Sequence, residues 1–226
     1  MAELDEGFAW RVCDAGYEVV TVEAPKPKKT RGRGMPPATS NLGLGEPVPG
    51  VRIRPKGKRF RTKYPLQFNT SLYRDFAALD GSAEACVDFA NKVGLLTCEA
   101  DAEGEPLSLW QGQIKKMQRA IERWLTDPLT LGVNEKGEIK VGDLVAVLRP
   151  TPPDGKLAMR VGPRHLLGGM ELQLGAAVGK GHELKHCKQC NQLFEIGPGA
   201  KRSHAEFCTP KCQTDFNNAK KRRTSQ

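Results

Sequence analysis

Three features of the chain predict an α+β fold. Amphipathic helical stretches fill its middle, and short runs of β-forming residues flank them. Near the C-terminus, four of the seven cysteines form two close pairs, the spacing of a metal-stapled finger. The expected architecture is a mainly helical central domain with short β-hairpins, plus a C-terminal treble-clef-like zinc finger. Residues 1–65 read as an N-terminal β-hairpin and a basic Pro/Gly-rich arm, 66–179 as the mainly helical domain, and 180–226 as the finger with a basic C-terminal helix.

The elements follow in order. Phe8–Cys13 and Tyr17–Val22 are rich in β-formers, with Asp14-Ala15-Gly16 between them, and predict a hairpin. A lone hairpin is marginal in water, so this one must pack on something. From Pro25 to Pro65, basic residues alternate with Pro and Gly, and no helical period survives. Two readings stand there: a flexible arm that tracks phosphates, or a solvated loop with a short strand at Val51-Arg52-Ile53. Ser71–Leu79 predicts a short helix capped by Ser71, and Ser82–Gly94 a second, with Ser82 as cap and Gly94 as stop. Pro106–Thr126 predicts the longest helix. Trp110, Ile114, Met117, Ile121 and Trp124 or Leu125 make its apolar stripe, and Lys115, Arg119 and Arg123 a solvated basic face. Glu135–Arg149 and Leu157–Val161 read as a hairpin. Pro163–Val178 reads as a helix burying Leu166, Leu167, Met170, Leu174 and Ala177.

The metal ligands are Cys187, Cys190, Cys208 and Cys212. Two cysteines separated by two residues close on one ion from a tight turn. Two at i and i+4 lie on one face of a helix, and Thr209-Pro210 suits the start of that helix. The seventeen residues between Cys190 and Cys208 leave room for a hairpin over Phe194–Ala205, with Gly197-Pro198-Gly199 as its tip. Four thiolates leave no position for water, so one structural Zn2+ is expected, not a catalytic one. So short a segment lacks the core to fold alone; structural zinc supplies on the order of 10–16 kcal/mol in small fingers. His186 and His204 are the alternative ligands. His204-Ala205-Glu206 has the H-x-E form of zinc deaminases, but it follows Cys187-x2-Cys190 instead of preceding a C-x-x-C, so it is set aside. Gly43-x-Gly45 and Gly175–Lys180 fail as phosphate loops. Cys13, Cys86 and Cys98 read as small apolar residues. No catalytic constellation stands out, and the chain is not expected to be an enzyme.

The formal net charge of +9 is unevenly placed. Residues 1–25 carry −5, 26–63 carry +11, 64–179 carry −3 and 180–226 carry +6. Two basic blocks flanking a near-neutral middle point to a polyanionic partner. No apolar run reaches the length of a membrane span. The acidic start lacks the marks of a signal peptide, so a cytoplasmic protein with reduced thiols is expected. Nucleic acid is the expected partner, DNA favoured over RNA, with Lys201, Arg202, Lys220, Lys221, Arg222 and Arg223 as the contacts. The alternatives are an RNA- or ribosome-associated protein, and a protein-interaction module with a purely structural zinc.

Arg202-x4-Phe207-Cys208-Thr209-Pro210-Lys211-Cys212, followed by a basic helix, resembles the CGNR-type zinc fingers of bacteria. Ala85–Leu96, Pro106–Leu125 and Leu166–Val178 resemble the helical domain of the same proteins, over roughly residues 66–223. Some of that group are described as stress-related transcription regulators of the ABATE type. The resemblance implies that the four cysteines are ligands and that the chain regulates transcription on DNA. After Cys212 this chain has Gln213-Thr214-Asp215 where the family signature has Gly-Asn-Arg.

Overall fold

The computed structural model describes residues 8–23, 50–97, 103–126, 144–151 and 156–224. Strands β1 (Trp10–Cys13) and β2 (Tyr17–Val22) lie where the sequence places them. They do not pair with each other. β1 runs antiparallel to β4 (Phe60–Lys63), and β2 to β3 (Gly50–Pro55). The two pairs form one bent ribbon whose register slips by one residue at the corner, between Tyr17 opposite Pro55 and Cys13 opposite Phe60. There Asp14 N donates to Arg59 O at 3.0 Å and Lys56 N to Gly16 O at 2.9 Å. Asp14-Ala15-Gly16 is thus a corner, not a hairpin turn. The bend lets Trp10, Val12, Tyr17 and Ile53 all bury their side chains in the core. The C-terminal part of the basic segment is therefore sheet; residues 24–49 lie outside the described residues.

The described residues hold six helices, numbered in chain order: α1 (Pro65–Phe68), α2 (Leu72–Ala77), α3 (Ala83–Val93), α4 (Leu107–Thr126), α5 (Leu166–Gly179) and α6 (Pro210–Thr224). Ser82 Oγ caps α3 by accepting from Ala85 N at 3.2 Å. Gly94 ends it at φ 97°, where a Cβ would lie 2.8 Å from the Trp10 indole. Along α4, Trp110, Ile114, Met117, Ile121 and Trp124 are all buried, while Leu125 is exposed. Trp110 meets Phe76 and Phe89 in an aromatic cluster, each with ring centroids 6.2 Å away. Ser71 does not cap α2. Instead the buried Gln173 of α5 reaches over: its Oε1 accepts from Leu72 N at 3.0 Å and its Nε2 donates to Asn69 O at 2.6 Å. A distant amide does the work expected of the local hydroxyl.

A two-residue strand, β5 (Glu105–Pro106), adds to the outer edge of β3. Glu105 is buried, and its carboxylate accepts from Leu96 N at 2.9 Å, Thr97 N at 2.5 Å and Thr97 Oγ1 at 2.6 Å. These donors compensate the burial of the charge. β6 (Leu144–Thr151) and β7 (Lys156–Pro163) form the second expected hairpin; residues 135–143 of that reading lie outside the described residues. α5 begins at Leu166, with His165 Nδ1 accepting from Gly168 N at 3.0 Å. Its predicted apolar residues are all buried. One continuous core runs from Phe8 through the ribbon and helices α2 to α5 to Leu184. Among the described residues no helix is long and apolar enough to cross a membrane.

Candidate metal centre

The centre is built from three short pieces. Strands β8 (Glu183–His186) and β9 (Leu193–Ile196) pair antiparallel, and the turn joining them carries Cys187 and Cys190. The hairpin expected over Phe194–Ala205 therefore sits earlier. Its second strand is β9, but it closes on the strand preceding the cysteine turn. Asn191 supplies the reason: at φ 58° it occupies the left-handed region that asparagine tolerates, and its N donates to Cys187 O at 2.9 Å. Cys187 N donates onward to Gln192 O at 2.9 Å. The Gly197-Pro198-Gly199 segment is a separate turn, closed by Gly197 N donating to Lys201 O at 2.8 Å. The last piece is the start of α6, where Thr209 Oγ1 accepts from Cys212 N at 3.1 Å, a cap bond that fixes the first turn carrying the fourth sulfur.

These pieces bring the four sulfurs within 4.8 Å of one another. Cys190 Sγ and Cys212 Sγ each lie 3.5 Å from Cys208 Sγ. A disulfide would need about 2.05 Å. A tetrahedron of sulfurs about 2.3 Å from a central ion has edges of about 3.8 Å, so the cluster fits a single metal ion. Cys187 is buried, Cys208 and Cys212 are half-buried, and Cys190 is exposed. Burial alone would push the Cys187 thiol up. Hydrogen bonds from the backbone of Cys190, Cys208 and Gln189, and from the Cys190 side chain, outweigh it and hold the thiol at about 6. Cys208 is pushed up to about 12 by burial and by its three sulfur neighbours. A cation bound among the four sulfurs would favour their thiolate forms.

Around the sulfurs, Cys187, Phe194 and Ile196 form a small core of their own, with Ala205 and Phe207 against it. Phe207 packs on Phe216 of α6 with ring centroids 5.3 Å apart. The two histidines weighed as ligands stand apart from the cluster: His186 turns its Nδ1 to Asn191 O at 3.0 Å, and His204 is exposed. Of the remaining cysteines, Cys13 and Cys86 are buried in the main core, and Cys98 lies outside the described residues.

The basic residues read from sequence lie at two places. Lys201, half-buried, and Arg202, exposed, flank the Gly197 turn. Lys220, Lys221 and Arg222 are exposed on the last turns of α6. Arg223 belongs to α6, but its side chain lies outside the described ones.

Sequence reasoning missed the polar clamp that ties the centre to the helical core. Glu195 of β9 accepts from Tyr73 OH at 2.8 Å through Oε1, and its Oε2 lies 2.7 Å from His182 Nδ1. Arg74 Nε pairs with Oε1 at 3.5 Å, while its Nη1 donates to Leu193 O at 3.2 Å. The only sequence signal was a Tyr-Arg pair in a short helix and a Glu in a short strand, more than a hundred residues apart. Comparison with known proteins adds no relative: no family model, no curated protein and no solved structure matches the chain.

Proposed function

We propose that the chain is a zinc-finger nucleic-acid-binding protein acting in the cytoplasm, and, from its resemblance to the CGNR-type fingers, a bacterial DNA-binding transcription regulator. The metal is one structural Zn2+ on Cys187, Cys190, Cys208 and Cys212. An all-sulfur tetrahedral donor set suits zinc, and with four protein ligands no position is open for catalysis. A cysteine turn, a short β element and then a helix bearing the fourth ligand support a treble-clef-like fold. The zinc is a staple and the protein is not an enzyme.

The observation that carries this reading is α6. The metal cluster grips its first turn, and from Pro210 to Arg222 every residue except Cys212 and Phe216 is exposed. A helix that packs so little and ends in Lys220-Lys221-Arg222-Arg223 is placed to meet phosphates. Lys201 and Arg202 add positive charge on the neighbouring turn. The alternative, a protein-interaction module, draws on a groove of about 740 Å³ between β4, α2 and α3, floored by Leu72, Leu79 and Phe89.

Metal analysis and gel shifts test the proposal. The purified chain is expected to hold one zinc. It should shift duplex DNA at about 50 mM salt, with affinity falling steeply as salt rises. Charge reversal of Lys220–Arg223 should weaken binding to all sequences alike. A chain free of metal, or one that shifts neither DNA nor RNA at low salt, overturns the proposal.

A further inference from the structure

We infer that α6 is a major-groove reading helix for duplex DNA, and that Thr214, Asn217 and Asn218 carry its sequence readout. This rests on the nucleic-acid reading above and goes beyond it in groove, residues and type of duplex.

The faces of α6 follow from helical geometry. Successive helical residues turn by about 100°. Cys212, Phe216 and Ala219 share the side turned to the metal cluster and to Phe207. The opposite side carries Lys211, Thr214, Asn217, Asn218 and Lys221, all exposed. Gln213 and Lys220 flank it on one edge, Asp215 and Arg222 on the other. The helix has fifteen residues, about 22 Å of length. It is anchored at one end, and that end is itself held to the helical core through Glu195. A stiff projecting rod is what a groove of about 12 Å width admits.

The residue types then narrow the partner. Asn and Thr are poor helix formers because their side chains compete for the backbone. A face kept only for solubility would carry Glu and Lys in stabilising i,i+4 pairs. α6 holds no Glu, and Asp215 is its single acid. Asn217 and Asn218 are exposed, and among the described residues neither side chain makes a hydrogen bond. These adjacent side-chain amides are both turned outward, with their donor and acceptor pairs unengaged among the described residues. Asparagine matches adenine N6 and N7 bidentately, and a threonine methyl meets the methyl of thymine. Lys211 at one end and Lys220 and Arg222 at the other would hold phosphates and set the register. The A-form major groove of duplex RNA is too deep and narrow for side chains to read, so this arrangement selects B-form DNA.

The test is selection of binding sites from a randomised duplex DNA pool by the zinc-loaded chain of residues 1–226. The enriched duplex, a scrambled duplex and the matching RNA duplex are then titrated. The enriched sites are expected to share an adenine-containing core. Asn217→Ala and Asn218→Ala should each weaken binding to the enriched duplex about ten-fold, within the range for one lost bidentate contact. Binding to scrambled DNA should stay within about two-fold, with zinc content and melting temperature unchanged. Salt-dependent binding without enrichment, or variants that keep the wild-type preference, overturns this inference and leaves the nucleic-acid reading standing. Tighter binding to RNA than to any duplex DNA overturns it in favour of an RNA partner. No binding to any of the three overturns both.

Discussion

Glu195 joins two parts of the chain that lie far apart in sequence. Its carboxylate is mostly shielded; it accepts from Tyr73 OH, lies against His182 Nδ1, and faces Arg74 Nε as an ion pair at 3.5 Å. Burial, with Glu195 beside it, pushes the Tyr73 phenol well above its ordinary range, so Tyr73 stays a donor at any ordinary pH. Hydrogen bonds to a charged group are the strong ones, and a partner left behind in a shielded site costs more than the bond itself. Glu195→Ala is therefore expected to destabilise the chain by about 2 kcal/mol or more, and Glu195→Gln by about half that. Paired with Tyr73→Phe in a double-mutant cycle, the coupling should be about 1 kcal/mol. Urea unfolding gives these values; additive effects of the two substitutions would remove the clamp from the account. Neither this cluster nor the Gln173 bridge to Leu72 was legible in the sequence. A side chain paired across more than a hundred residues leaves no periodic trace, whereas Ser82, bonded three residues away, did.

At the scale of elements, local signals served well and pairing signals did not. The α4 stripe was readable because a single face of one helix must be apolar, and five buried residues at helical spacing say so. β1 and β2 were readable as strands, but their partners depend on a second segment about forty residues on. A strand does not record which edge it meets. Loop closure over such a distance costs only slowly growing entropy, so proximity in sequence was no guide to pairing. Gly94 shows where element and tertiary packing meet. It stops α3 with a positive φ, and it also gives Trp10 room to donate its indole N–H to Leu95 O at 2.9 Å. A Cβ there meets the ring at 2.8 Å and Arg11 O at 3.1 Å. Gly94→Ala is expected to cost about 1–3 kcal/mol, from the unfavourable backbone and the displaced ring together. A urea titration followed by tryptophan fluorescence would show it, and an unchanged midpoint would mean that the ring yields without cost.

At the scale of the molecule, two cores of unequal strength face each other across the Glu195 clamp. The larger runs from Phe8 to Leu184 and holds all three tryptophans, Trp10, Trp110 and Trp124. The smaller rests on Cys187, Phe194 and Ile196, too little apolar surface to offset the entropy of ordering β8, β9 and α6 without metal. Stripping the ion with a strong chelator is therefore expected to lower helical circular dichroism and to open the β8–β9 amides to hydrogen exchange. Tryptophan emission should barely move, because its reporters all sit in the core that survives. Simultaneous collapse of both signals would mean that the metal holds up the whole chain. Acid should act in the same sense. Binding the ion requires thiolates, and each thiol that is protonated in the free site must release its proton to bind. Cys187 is held at about 6 and gives up little above that pH, whereas Cys208, pushed up to about 12, loses its proton only in exchange for the metal. Apparent zinc affinity, read by competition with a chromophoric chelator of known pH dependence, should therefore fall steadily from about pH 8 to about pH 6, and more steeply once Cys187 also takes up a proton. Affinity independent of pH over that range would mean that the ligands are not these thiols.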